Sequence, residues 1–486
     1  MLSKLQHLVL LAVIALVVPS VFTHPVVAYL STLLSLFFIA WNKKNGLLLL
    51  FIYFPIRPFL LELNPGFKLM GDCLLIVLFL AALYGFIRDR GSWKTYAFTG
   101  FILLFCLVGT IAAFQTGVGL SAIIFQNRAY LITFLILFTV GQWKMNKEDI
   151  QYFLGLSIVM GSILSVHGIM EYLFSRTLLV PEAWTNWNLS SVNEMRVYGL
   201  TANPNVLGTY LSICLFITLY VLSVAKRWRI LYVLASILML GTLCLTYSRG
   251  SILAFGVAFI VYVLCKRAWK MGAGLILSIV LGLFLIYYPA GIAREEIDAH
   301  TISDGHMPDV PQEEVEPDSA PPPNERSSAF SNRFKEIFSD DIIEKSSQWG
   351  RLYVVFKGID IYLMNPVIGT GFGTFGDSAT LSYGTPIAET YQLPDRMYSD
   401  NQYIQLLVQT GTLGTLSVLA FVVAIFTITW KRRKDPVAPV LFCLTLATLL
   451  MALFYNVLEE KILTLYFYSL LGYFLTKERT PHSLEK

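Results

Sequence analysis

The sequence predicts an all-α polytopic membrane bundle of about twelve to fourteen spanning helices, with one large extracytoplasmic loop that carries an amphipathic helix. Three observations lead there. Hydrophobic residues make up 56% of the chain and charged residues only 14%, where a soluble domain carries about 25% charged residues. The mean hydropathy is +0.63. Apolar runs recur along the whole length, and the connections between them are basic at every second position.

The runs lie near 7–23, 25–41, 46–63, 69–87, 95–115, 129–143, 151–174, 206–225, 230–247, 251–265, 272–291, 402–430, 436–456 and 460–476. Each must be helical, because a strand edge cannot satisfy its backbone in lipid. The first run follows a short start bearing Lys4 and lacks a convincing cleavage site, so it reads as a span. Alternate connections hold Lys43 and Lys44; Arg88, Arg90 and Lys94; Lys144 and Lys147; Lys226, Arg227 and Arg229; Lys266, Arg267 and Lys270; and Lys431, Arg432, Arg433 and Lys434. The positive-inside rule puts these, and both termini, in the cytoplasm. All six cysteines (Cys73, Cys106, Cys214, Cys244, Cys265 and Cys443) fall in apolar runs, which disfavours a disulfide framework or a zinc site.

Four regions follow: an N-terminal bundle (1–174), a transmembrane core with an outer loop (175–291), the large outer loop (292–400) and the C-terminal helices (401–486). Within the large loop, 295–346 contains EEVEPDSAPPPNERSS, too acidic and proline-rich to bury a core, and is expected to be disordered in part. Residues 348–363 are expected to form a helix on the membrane surface or over a cavity, with Trp349, Tyr353, Phe356 and Ile359 on one face and Asn365-Pro366 as its stop.

Candidate chemistry gathers on the outer side. Arg57, Arg128, Arg196, Arg249 and Arg351 all fall there, against the prevailing charge bias. A cation at such a place needs a partner or a task, although any one of them is also consistent with snorkelling to lipid head groups. Several arginines around one cavity suit a diphosphate, because guanidinium groups bind phosphate oxygens bidentately and keep their charge. The glycines of NPVIGTGFGTFG, Gly371 and Gly373 among them, permit close backbone approach and offer amide donors, or simply form a loop. His167, alone in the seventh span, reads as a packed core residue. Asp400, in YSDNQYIQLLVQTGTLG, stands at a helix mouth. Partial desolvation there is expected to raise its pKa and suit it as a base. Capping the following helix is the alternative. Asn401 and Gln405, one turn apart, are placed to bond sugar hydroxyls or each other.

The segments RVYGLTANPNVLGTY, TYSRGS, GRLYVVFKGIDIYLMNPVIGTGFGTFG and DNQYIQLLVQTGTLG occur in this order over roughly 190–430. Together they resemble the O-antigen ligase and polymerase superfamily of bacterial envelope glycosyltransferases. The resemblance implies metal-independent glycosyl transfer, without a cofactor, on the outer face of the cytoplasmic membrane, from a glycan on undecaprenyl diphosphate. It assigns Arg249 and Arg351 to the diphosphate, with Arg196 a less certain third, and counts Asn205 of the ANPN stretch among the substrate-binding residues. Ligases typically carry a His-Asn pair where this chain has Asp400-Asn401. That departure favours a polymerase, which uses a lipid-linked acceptor, over a ligase, which uses another carrier. The implied partners are the undecaprenyl-diphosphate-linked oligosaccharide and membrane lipids, with a chain-length regulator as a further candidate, and no nucleic acid. A lipid-linked oligosaccharide flippase is the rival from another class. It fits less well, because mid-span charges are few and no internal repeat is evident.

Overall fold

A computed structural model of the chain describes residues 11–143, 145–187, 189, 191–303 and 351–476. Among these, every regular element is helical. After a short helical start (Val13–Val17, Val18–Ser20) come Pro25–Trp41 (α1), Lys43–Leu63 (α2), Met70–Arg88 (α3), Gly100–Gln115 (α4), Leu120–Gln142 (α5) and Lys147–Leu173 (α6). Pro204–Val224 (α7), Arg229–Leu245 (α8), Arg249–Lys266 (α9), Trp269–Gly282 (α10) and Tyr288–Ser303 (α11) follow. Arg351–Met364 (α12), Gln402–Lys431 (α13), Ala438–Met451 (α14) and Lys461–Thr476 (α15) complete the bundle. Nine helices among the described residues are long and apolar enough to cross a membrane, and three shorter apolar ones continue the alternation.

The helix starts are written into the sequence. Asn146 and Asp149 form a capping box on α6. Asn203 caps α7 with Pro204 at its first position, where a missing amide hydrogen costs nothing. Two expectations shift. The sixth span begins at Leu120 instead of near 129, so Arg128 stands eight residues inside α5 and not at its start. The expected disordered stretch 295–346 begins as helix, because α11 runs on to Ser303; the remainder, and Trp349 of the surface helix, lie outside the described residues.

Lipid gives packed helices no hydrophobic gain over lipid-facing ones, so close approach through small residues matters most. Gly472 of α15 shows this, since a Cβ there would sit 2.4 Å from the Leu137 carbonyl oxygen of α5. The end opposite the basic connections, called here the loop end, is built differently. α14 and α15 have 14 and 16 residues, and rise only about 21 and 24 Å, short of the ~30 Å apolar core of a bilayer. Their connector, 452–460, is therefore sunk into the bundle. The Lys461 ammonium lies 5.9 Å from the Phe54 ring, nine residues below the loop end of α2.

A second non-helical segment is sunk beside it. Residues 365–377 wedge between α4 and α13. Gly411 breaks α13 (φ 58°, ψ −160°), and the freed Val408 and Gln409 carbonyls accept from the Thr370 and Gly371 amides, both at 2.8 Å. The Phe372 amide donates to Gly109 of α4 at 3.1 Å. Irregular backbone survives at such depth only when protein partners satisfy it. α12 lies over this wedge with Val354, Gly358 and Ile361 inward, packed on Ile404 and Val408. Phe356 and Ile359, expected to share one face, are exposed with Leu363 and Met364. That outward stripe suits a surface helix touching lipid.

Gly371 has φ +97°, and a Cβ there would lie 2.0 Å from the Ala113 nitrogen. Gly371→Ala is expected to lose about 3 kcal/mol or more of stability. Gly256→Ala, in open helix, should be neutral or gain up to ~1 kcal/mol. Thermal unfolding of both in detergent checks the contrast.

Candidate functional site

The loop end brings several expected residues together. Arg196 lies in the turn before α7. Its Nε donates to the Thr246 carbonyl at 3.1 Å and its Nη2 to Asn205 Oδ1 at 2.9 Å. The same Asn205 oxygen accepts from Ser248 Oγ at 3.1 Å, one residue before exposed Arg249, which opens α9. Two guanidinium-bearing segments far apart in sequence are thus tied through one asparagine. Arg196 also donates from Nη1 to Asn193 Oδ1 at 3.5 Å, so several of its five N–H donors fix it in the turn.

A buried ion pair sets that turn. Glu171 is 3% exposed and accepts from the Tyr198 and Gly199 amides at 3.1 and 2.6 Å. It pairs with Arg176 at 3.2 Å. Arg176 lies 4.4 Å over the Tyr198 ring and donates to the Arg196 carbonyl at 3.1 Å. His167 sits below, bonded through Nε2 to the Leu179 carbonyl at 2.9 Å, in keeping with a packed core role.

Asp400 adopts φ +49°, held between two anchored neighbours. Ser399 donates from Oγ to Asn456 Oδ1 at 2.8 Å and from its amide to the Gly376 carbonyl at 3.0 Å. Asn401 caps α13, accepting from the Tyr403 and Ile404 amides at 3.1 and 3.2 Å. The cap is therefore Asn401 and not Asp400, which frees the aspartate from that task and commits the asparagine to it. Asn401 also donates to the Leu453 carbonyl at 3.4 Å. On the far side of the same connector, a Cβ at Gly250 would meet Phe454 Cβ at 2.8 Å. Arg249 opens, and Asp400 shortly precedes, two helices that flank one short segment.

The other expected contacts point elsewhere. Gln405 is fully buried, away from Asn401, and donates to Glu459 Oε1 at 2.5 Å and Tyr130 Oη at 3.1 Å. The Gly371 amide is spent on Gln409, and the Gly373 amide donates to Asp377 Oδ2 at 2.7 Å. These glycines serve the wedge, and their amides are not open to a ligand in this structure. Arg351 opens α12; its side chain lies outside the described part of the structure.

Sequence reasoning missed the acids beneath. Asp377 is fully buried and accepts from the Thr380 amide and hydroxyl and from Gln409 Nε2, each at 2.7 Å. Glu459, in the connector, accepts from the Ser378 amide at 2.9 Å. Both acids are buried and held by these hydrogen bonds. The pair Glu459-Glu460 beside Lys461 was the one available signal, a charge cluster between two apolar runs. Finally, Arg128 pairs with Asp72, and Lys461 lies 3.9 Å from the same carboxylate.

Fold and site together define a polytopic all-α membrane protein with a polar, cation-bearing loop end. Residues 234–419 match the family model described as O-Antigen ligase. The matched stretch holds Arg249, α12, the glycine wedge and Asp400 to Gln405, while Arg196 and Asn205 precede it. The match supports the O-antigen ligase and polymerase superfamily and a glycosyltransferase of that general kind. No curated protein matches the chain.

Arg176→Gln leaves the Glu171 carboxylate buried without its cation and is expected to cost about 3–5 kcal/mol. The double variant Glu171→Gln/Arg176→Gln should recover part of that loss. A double-mutant cycle of thermal unfolding reads both.

Proposed function

We propose that the protein is a surface-polysaccharide polymerase. It moves a glycan from undecaprenyl diphosphate to a sugar hydroxyl of a lipid-linked acceptor, at the extracytoplasmic face of the bacterial cytoplasmic membrane. The observation that carries this reading is the shared Asn205 oxygen, which accepts from Arg196 and from Ser248 beside Arg249. It supports a prearranged cationic patch across the connector from a carboxylate.

In this reading the acceptor oxygen attacks the anomeric carbon of the donor. The bond from that carbon to the diphosphate oxygen breaks, and its electron pair leaves with the diphosphate. The acceptor proton passes to the Asp400 carboxylate. Arg249 and Arg196, with Arg351, meet the charge that grows on the departing diphosphate. Cations fixed before reaction do this without reorganisation. Asp400 does not cap α13, a task that Asn401 performs, and its φ of +49° sets its direction. Asn205 holds Arg196, Asn401 holds the start of α13, and Gln405, Gly371 and Gly373 support the site from within the bundle instead of touching sugar. Membrane lipids surround the bundle, and a chain-length regulator is a candidate partner.

A ligase reading is favoured by one observation, the description of the matched family. The carboxylate at 400, where ligases carry histidine, favours the polymerase. The product separates them: a polymerase lengthens lipid-linked chains, whereas a ligase changes their carrier.

Displaying the glycan on a gel tests the scheme, with protein levels checked. Arg249→Ala and Asp400→Asn are each expected to reduce long chains by about a hundredfold, the usual effect of losing one charge-stabilising or proton-accepting group. A normal ladder from well-expressed Arg249→Ala would sink the proposal.

A further inference from the structure

A second group of cations lies outside the Arg196–Arg249 patch, on α2, α5 and α15, around Asp72 of α3. Arg128 of α5 pairs with Asp72 of α3. Lys461, the first residue of α15, lies 3.9 Å from the other oxygen of that carboxylate. Arg57 of α2 and Arg128 both act electrostatically on the Lys461 ammonium. Arg57 meets the Tyr53 hydroxyl, which itself donates to the Phe67 carbonyl at 2.6 Å. Among the described residues no carboxylate lies within ion-pair distance of Arg57.

The charges around this group do not balance. Glu460 is the other acid nearby, and its oxygens accept from the Ile462 and Leu463 amides at 2.9 and 2.5 Å. It is thereby committed to the start of α15. Asp72 alone is bonded to the cations. The side chains are mostly sheltered, with Arg128 29%, Lys461 20% and Asp72 13% exposed. Arg57 stands six residues, about 9 Å, below the loop end of its helix. Unbalanced cations at that depth are costly, and such residues mark binding paths.

We propose that Arg57, Arg128 and Lys461 form an anion site for a phosphate group, with Asp72 holding two of the cations apart until the anion arrives. Two guanidinium groups and an ammonium supply charge and forked donors suited to tetrahedral phosphate oxygens. The phosphate can belong to a prenyl diphosphate, to a glycerophospholipid head group or to free anion. The site is read by binding, so it stands or falls apart from the glycosyl-transfer scheme.

The test uses the full-length protein in detergent, in an Arg249→Ala background so that the other patch does not mask the result. Inorganic pyrophosphate, farnesyl diphosphate and a short-chain phosphatidylglycerol are titrated separately by calorimetry. Arg57→Gln is expected to weaken binding of the preferred probe at least about tenfold. Asp72→Asn removes a competing carboxylate and should leave binding equal or tighter. Tighter farnesyl diphosphate than pyrophosphate assigns a prenyl carrier, tighter phosphatidylglycerol assigns a phospholipid, and parity with pyrophosphate assigns free anion. Equal affinity in wild type and Arg57→Gln for all three probes overturns the site. So does parallel weakening in Arg57→Gln and Asp72→Asn, which would mark a structural ion cluster only. Monodispersity and thermal unfolding confirm that each variant is folded.

Discussion

The loop end depends on one carbonyl. Gly376 O accepts from Asn456 Nδ2 at 2.8 Å and from the Ser399 amide at 3.0 Å. It joins the glycine wedge, the 452–460 connector and the approach to Asp400. The requirement behind it is general: irregular backbone inside a helical bundle must find a protein partner for every amide and carbonyl. Here two irregular segments sit side by side and satisfy each other, together with carbonyls that the Gly411 break releases from α13.

Polar side chains extend the same logic. Gln402 reaches the Leu458 amide with its oxygen at 2.9 Å and Gln405 with its nitrogen at 2.8 Å, and Gln405 in turn reaches Glu459. The buried amides and acids therefore form a floor on which exposed groups stand. Arg249 and Asp400 are positioned by neighbours that are bonded, packed or both: Ser248 and Gly250 for the one, Ser399 and Asn401 for the other. The division is chemical. Groups that hold the floor have lost access to solvent, and groups that keep access owe their direction to the floor.

Much of the helical frame was legible because apolar runs and alternating basic connections report directly on lipid exposure and charge placement. Arg128 was misplaced because a charge inside a span interrupts the apolar run that marks it, and its partner Asp72 is 56 residues away. Glu459, Asp377 and Tyr130 went unnoticed because their contacts link distant segments without periodicity. The apolar face of α12 was legible, but which face meets the bundle was not: Gly358 lets Ile404 approach, so the smallest residue packs inward while Phe356 and Ile359 stay exposed. The alternative role of Asp400 as a cap falls to its neighbour Asn401, since aspartate and asparagine serve that position equally well.

The sunken hairpin of α14, the connector and α15 also sets a timetable. Residues 452–463 leave the ribosome after the other walls described here have been made, yet they carry Asn456, Glu459 and Lys461, onto which those walls close. Until the rest of α15 follows them α5 lacks the neighbour that Gly472 seats against it, and until Asn456 is made the Gly376 carbonyl has only the Ser399 amide as a donor. A nascent chain halted earlier is thus held dormant by its own unfinished architecture.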